Sequence, residues 1–229
     1  LVGGFASNAV SPILFKADYD PLTAFEAIGL FGTAPMIVIT HPNSKYKSLK
    51  DVVDAGKAKP GEVMYGSSGN GSPLHLAGEM FTAQAKVNLT HVPYKGGSAH
   101  ILDLIGGRLD VIFDTSTNST PLIKGGKVRP IAVSSKKRLP DFPDVPTFTE
   151  AGYPDFSVNG WYALYAPAKT PKPIVEKLSA TLQKVLKQPE VIEKLRGVGV
   201  SPASGIASEA EKYGLEEFAK YTKLSKDAN

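Results

Sequence analysis

The chain has 229 residues, 42% of them hydrophobic and 21% charged, which is the make-up of a globular protein with a buried core rather than a disordered one. Its net charge of +4 is scattered, with acidic residues between the basic ones, and no basic stripe or reader motif points to nucleic acid. Cysteine is missing, which removes disulfides, thiolate nucleophiles and cysteine-ligated metals, and no apolar run approaches the ~20 residues of a membrane span.

Residues 1–34 are nearly uncharged and turn at Ser11-Pro12 and Asp20-Pro21. They read as a loop, a short helix and the rim of a sheet. The opening Leu-Val-Gly-Gly-Phe lacks a basic n-region, so any export signal is expected ahead of residue 1. Residues 36–40 form an apolar, β-branched strand. Ser48, with Asp51 three residues on, starts a helix whose Leu49, Val52 and Val53 share a face. Pro60-Gly61 marks a turn, and residues 62–65 a strand. Ser72-Pro73 is an N-cap followed by proline at the first helical position, with Ala77, Met80 and Phe81 inward. Strands over 89–93, 110–113 and 128–134 then alternate with helices over 98–105 and 117–124, each helix stopped by Gly-Gly. Such alternation predicts a mainly parallel, helix-flanked sheet, hence an α/β fold.

Prolines at 140, 143, 146 and 154 mark residues 135–155 as a surface excursion. Residues 156–166 return as a strand carrying Trp161, Tyr162 and Tyr165. Thr170-Pro171 caps an amphipathic helix with Ile174, Leu178, Leu182 and Val185 expected inward. Helices over 189–196 and about 208–224 close the chain. The organisation expected is one complete lobe over 41–155, with 1–40 and 156–229 forming a partial one.

Six segments in order resemble one family. They are Tyr65-Gly-Ser-Ser-Gly-Asn-Gly-Ser-Pro-Leu-His-Leu-Ala-Gly-Glu79, His91-Val-Pro-Tyr-Lys-Gly96, Gly106-Gly-Arg-Leu-Asp-Val-Ile-Phe-Asp114, Lys124-Gly-Gly-Lys-Val-Arg-Pro-Ile-Ala-Val133, Pro143-Asp-Val-Pro-Thr147 with Glu150-Ala-Gly152, and Ala166-Pro-Ala-Lys-Thr-Pro171. Together they resemble the Bug, or TctC-like, solute receptors of tripartite tricarboxylate transporters. The resemblance implies a two-lobed periplasmic binding protein fold of type II, with ligand held in a cleft. It also implies that the first lobe is incomplete, because family members begin with a further strand, a proline- and glycine-rich loop and a helix. Residues 1–20 are similar to a later family segment, with Asn8 and Ser11 in its polar places. In function, the resemblance implies a periplasmic receptor for a small carboxylate that hands its ligand to membrane permease subunits. Such a receptor is expected to act as a monomer, without cofactor, metal, catalysis or nucleic acid.

The ligand chemistry is expected at Ser67, Ser68, Gly69, Asn70, Gly71 and Ser72. Small residues there let backbone approach a ligand, and the following helix offers free N–H groups and the positive end of its dipole. An ordinary βα turn with a serine cap is the plain alternative. Asp114 and Thr115 end a strand at the same sheet edge, where Asp114 either accepts from a ligand or caps the next helix. Tyr94 also follows a strand, as ligand contact or solvated loop. Asn8 enters on the resemblance. Two other functions remain: a ligand-sensing domain of the same fold, and a serine hydrolase using Ser67 or Ser68 with His75 or His91. The hydrolase pattern G-x-S-x-G is not met, because Asn70 stands at its last glycine. His41, His75, His91 and His100 show no metal-ligand spacing, and His75 reads as structural.

Overall fold

The computed structural model describes residues 1–14, 17–156 and 158–227. The chain forms two compact units, Leu1–Ala34 with Gly160–Asn229, and Pro35–Asn159. Each has its own sheet pairing and its own core.

The 35–159 unit is built around the second half of β2 (Phe25–Thr40), whose residues 36–40 are all buried. Around it lie β3 (Met64–Ser67), β4 (Thr90–Pro93), β5 (Val111–Thr115) and β6 (Arg129–Val133). β3 is parallel to both β4 and β5, whereas β2 is antiparallel to β5 and to β6. The sheet thus runs β6-β2-β5-β3-β4, with four strands in one direction and β2 against them. A strand that enters a βα series from outside it need not follow the direction the crossovers impose, and β2 does not.

Strand alternation sends side chains to both faces. Met36, Val38, Tyr65, Val111 and Phe113 join Leu49, Val52 and Phe81 in one core, and Ile37, Ile39 and Ile112 join Ile101, Leu104 and Val133 in the other. Helices α2 (Leu49–Ala58) and α3 (Pro73–Ala85) supply the first face, and α4 (Ala99–Ile105) the second. α5 (Ser116–Lys124) follows β5. Ser48 and Asp51 form the reciprocal box expected at the start of α2, at 3.2 and 2.9 Å.

In the other unit, β1 (Val2–Gly4) leads into a π-helical turn over Phe5–Val10 and the short helix α1 (Ser11–Leu14). β1 pairs antiparallel with β7 (Asn159–Pro167). The strand expected over 156–166 includes Ser157, which lies outside the described residues. α6 (Lys172–Val185), α7 (Pro189–Gly197), the two-residue strand β8 (Ser201–Pro202) and α8 (Ala207–Asp227) complete the unit. β8 pairs with Gly32 and Thr33, a contact too short to show in the sequence. α6 corrects an expectation. Its covered positions are Val175, Ser179, half-buried Leu182 and, at the C-cap, Leu186, while Ile174, Leu178 and Val185 stand 50, 44 and 36% exposed. The apolar stripe is wide enough for two registers, and packing against Ile28 and Ala166 selects the one through Val175.

Candidate functional site

Because β3, β4 and β5 are parallel neighbours, their C-terminal ends open at one edge of the sheet, the usual ligand side of open α/β folds. The loop of residues 67–72 leaves β3 there, Tyr94 follows β4, and Asp114-Thr115 closes β5. All the expected site residues except Asn8 therefore gather at one edge.

The loop is a hydrogen-bonded turn with its donors unequally used. Gly69 at φ +130° and Gly71 at φ +72° hold conformations that L side chains rarely adopt, and a Cβ on Gly69 would sit 2.9 Å from the Tyr94 carbonyl. The Gly69 N–H donates to Ser67 Oγ at 3.1 Å, the Gly71 N–H to His75 Nδ1 at 3.2 Å, and the Ser72 N–H to the Gly69 carbonyl at 3.1 Å. Ser72 is the N-cap of α3, its Oγ accepting from the His75 N–H at 3.3 Å. Tyr94 and Gly96 donate their N–H groups to the Ser67 and Ser68 carbonyls, each at 3.0 Å, which ties the β4 loop to this one. Among the described residues the N–H groups of Ser68 and Asn70 have no partner. As residues, Ser68 is half-buried and Asn70 exposed.

The remaining expected residues divide. Asp114 is fully buried, and its carboxylate accepts from Thr115 N–H at 2.8 Å, Asn118 Nδ2 at 3.2 Å and Ser119 Oγ at 2.8 Å. Of its two readings, geometry supports the one that secures the start of α5. Burial pushes its pKa up, against those hydrogen bonds. Thr115 is the N-cap of α5, with Oγ1 2.9 Å from Thr117 Oγ1. The Tyr94 hydroxyl donates to Asp103 Oδ2 at 2.5 Å and is pushed up to about 12 by burial and that carboxylate. Asp103 in turn is held low by Arg108, which grips it through Nε at 2.9 Å. Asn8 lies in the other unit, where its Oδ1 accepts from Gly4 N–H at 3.0 Å and Ser7 Oγ at 2.7 Å.

A cluster beneath the loop was not legible in the sequence. Ser67 Oγ lies 2.6 Å from His91 Nε2. The His91 ring stacks on Tyr65 at 4.9 Å and on His75 at 4.1 Å, and the Tyr65 hydroxyl donates to Glu79 Oε1 at 2.5 Å. Tyr65 and His91 face each other only because β3 and β4 pair in that register. Ser67 is fully buried, and its Oγ is engaged by the Gly69 backbone as well as by His91. Among the described residues no group of three or more histidine or carboxylate side chains is placed to hold a metal ion.

Residues 1–229 match the tripartite tricarboxylate transporter family receptor, TctC. The chain belongs to that family. Two curated relatives of this TctC chain are UPF0065 proteins. One, in the tcbD-tcbE intergenic region of Pseudomonas sp. (strain P51), is 34% identical over 92% of this chain and 62% of its own length. The other, from Agrobacterium vitis, is 39% identical over 81% of this chain and 54% of its own. This chain thus spans less than two thirds of the length of either protein. Among solved structures, R. palustris Rpa4515 with adipate superposes with a TM-score of 0.86 at 31% identity, covering 98% of this chain and 76% of that one. The periplasmic binding protein BugD gives 0.82 at 33%, covering 100% and 77%. MatC from Rhodopseudomonas palustris with bound malate gives 0.79 at 27%, covering 97% and 77%. The α/β binding-protein fold of the TctC family is therefore the fold of this chain.

Proposed function

We propose that this protein is an extracytoplasmic receptor that binds a small organic carboxylate without changing it and delivers it to the membrane permease subunits of a tripartite tricarboxylate-type transporter. The observation that carries the reading is the glycine-rich loop of residues 67–72, which leaves the Ser68 and Asn70 N–H groups open at the N-terminus of α3. An anion there gains two backbone donors, the Ser68 hydroxyl and the helix dipole, with no cationic side chain required. Hydrogen bonds to a charged group contribute about 1.5–3 kcal/mol each. Three of them approach the ~8 kcal/mol of a micromolar complex before ordering costs. The adipate and malate bound to two structural relatives support dicarboxylates as the class. No helix among the described residues is long and apolar enough to cross a membrane. Tyr94 and Thr115 border the loop as further contacts, and Asn8 is assigned to the ligand by family resemblance alone.

The test is a thermal-shift and calorimetric screen against malate, adipate, citrate and monocarboxylates. A ligand at a hundred times its Kd should stabilise the fold by about 2.7 kcal/mol. Gly69→Val should abolish that gain, because the branched side chain strains the turn and displaces the Tyr94 carbonyl. A panel with no stabilising carboxylate, or a Gly69→Val protein that binds like the wild type, defeats the reading.

A further inference from the structure

His75 occupies the third position of α3 and turns its ring back onto the loop that precedes the helix. The Gly71 amide can only donate, so the Nδ1 atom 3.2 Å away must present a lone pair. The neutral ring then carries its proton on Nε2, which faces Glu79 Oε1 at 3.8 Å. The other groups around this imidazole are His91 on β4, stacked at 4.1 Å, and Tyr65 on β3, which stacks on His91 and donates to the same Glu79 oxygen.

We propose that His75 is a positioning residue for carboxylate recognition: by accepting the Gly71 N–H it holds the loop in the turn that leaves the Ser68 and Asn70 N–H groups for the anion. This rests on the receptor function proposed above. The device is sensitive to protonation. A proton on Nδ1 replaces the lone pair with a second donor facing the Gly71 N–H, and the hold is lost. Burial lowers the basicity of His75 and Glu79 opposes it, while burial and the charge of His75 lower that of His91. The depressed value means that the neutral, holding form dominates at neutral pH. The hold is lost only as pH falls through a value below 6.5. The His91 ring stacked on His75 carries a lowered pKa of its own, from burial and from the charge of His75.

Two substitutions separate positioning from bulk. His75→Asn keeps an acceptor oxygen near the Nδ1 position and cannot titrate, whereas His75→Phe keeps the ring and removes the acceptor. At pH 7.5, calorimetry with malate and adipate should give His75→Asn an affinity within about threefold of wild type and His75→Phe a loss of about tenfold, since one hydrogen bond of about 1.4 kcal/mol is a factor of ten. From pH 8 to pH 5.5 the wild-type affinity should fall more steeply than that of His75→Asn, whose profile lacks the His75 contribution. In ligand-free protein the Gly71 amide resonance should titrate in the wild type and stay flat in His75→Asn. Equal affinities in the two variants, parallel pH profiles, or a Gly71 amide indifferent to His75 would each overturn the proposal. A wild-type protein that binds no acid of the whole carboxylate panel defeats the receptor reading and the ligand role together, while the Gly71 titration, which needs no ligand, still judges the hold on the loop.

Discussion

At the scale of single residues, the site edge shows how polar groups of similar appearance serve different ends. Asp114 looks like a ligand acceptor in the sequence, yet its oxygens are taken up by Thr115, Asn118 and Ser119. Its raised pKa has a definite sign. The folded state keeps the proton to higher pH than the unfolded chain, so this group's contribution to stability declines as pH rises from 3.8 toward the folded value. Asp114→Asn should remove that slope and leave stability at pH 7 close to wild type, because the amide oxygen still accepts from Thr115 and the amide nitrogen donates to Ser119 Oγ. Asp114→Ala leaves donors without an acceptor, Ser119 Oγ among them in the core, and should cost about 2 kcal/mol. Urea titrations at pH 4.5 and 7 measure both effects. A destabilised Asn variant would mean that the charge itself holds α5, and an intact pH slope would mean that another group carries it.

At the scale of elements, α6 shows a helix whose hydrophobic stripe exceeds the surface that covers it. Val175 and Leu186 are buried, whereas Ile174 and Leu178 are 50 and 44% exposed. Truncation should reveal this directly. Leu186→Ala is expected to cost about 2 kcal/mol or more, and Ile174→Ser and Leu178→Ser less than about 0.5 kcal/mol each. Chemical denaturation of the three variants decides it, and a large loss in either serine variant would show that the exposed side of α6 is covered in solution. The loop-to-α3 junction behaves oppositely, with its cap residue Ser72, its proline and its glycines all in agreement.

At the scale of the whole molecule, the net charge of +4 invites a reading in which long-range attraction gathers the anion. The geometry argues against it. Arg108 is engaged by Asp103, and the loop donors are backbone groups held by short-range contacts. Raising the salt from about 0.01 to 0.15 M shortens the screening length from about 30 to 8 Å. Carboxylate affinity should change by less than about threefold over that range, and Lys95→Ala by no more than about twofold, both by calorimetry. A tenfold loss in either experiment would place the anion on side-chain charge instead of the helix terminus.

The sequence by itself determined the local order of this protein. Ser48, Ser72-Pro73 and the Gly-Gly stops mark helix ends because capping depends on near neighbours in the chain. Strands β3 to β6 are legible because their apolar runs are short and bounded by turns. The six family segments carried the assignment to the receptor family for the same reason: each is a contiguous stretch. Tertiary structure alone decided what depends on register between distant segments. It set β2 antiparallel to β5 and β6, chose the buried side of α6, and turned the Asp114 carboxylate to α5. It also stacked His75, His91 and Tyr65 beneath the loop. The physical reason is that strand pairing sets which side chains share a face, and a shift of one residue reverses every one of them.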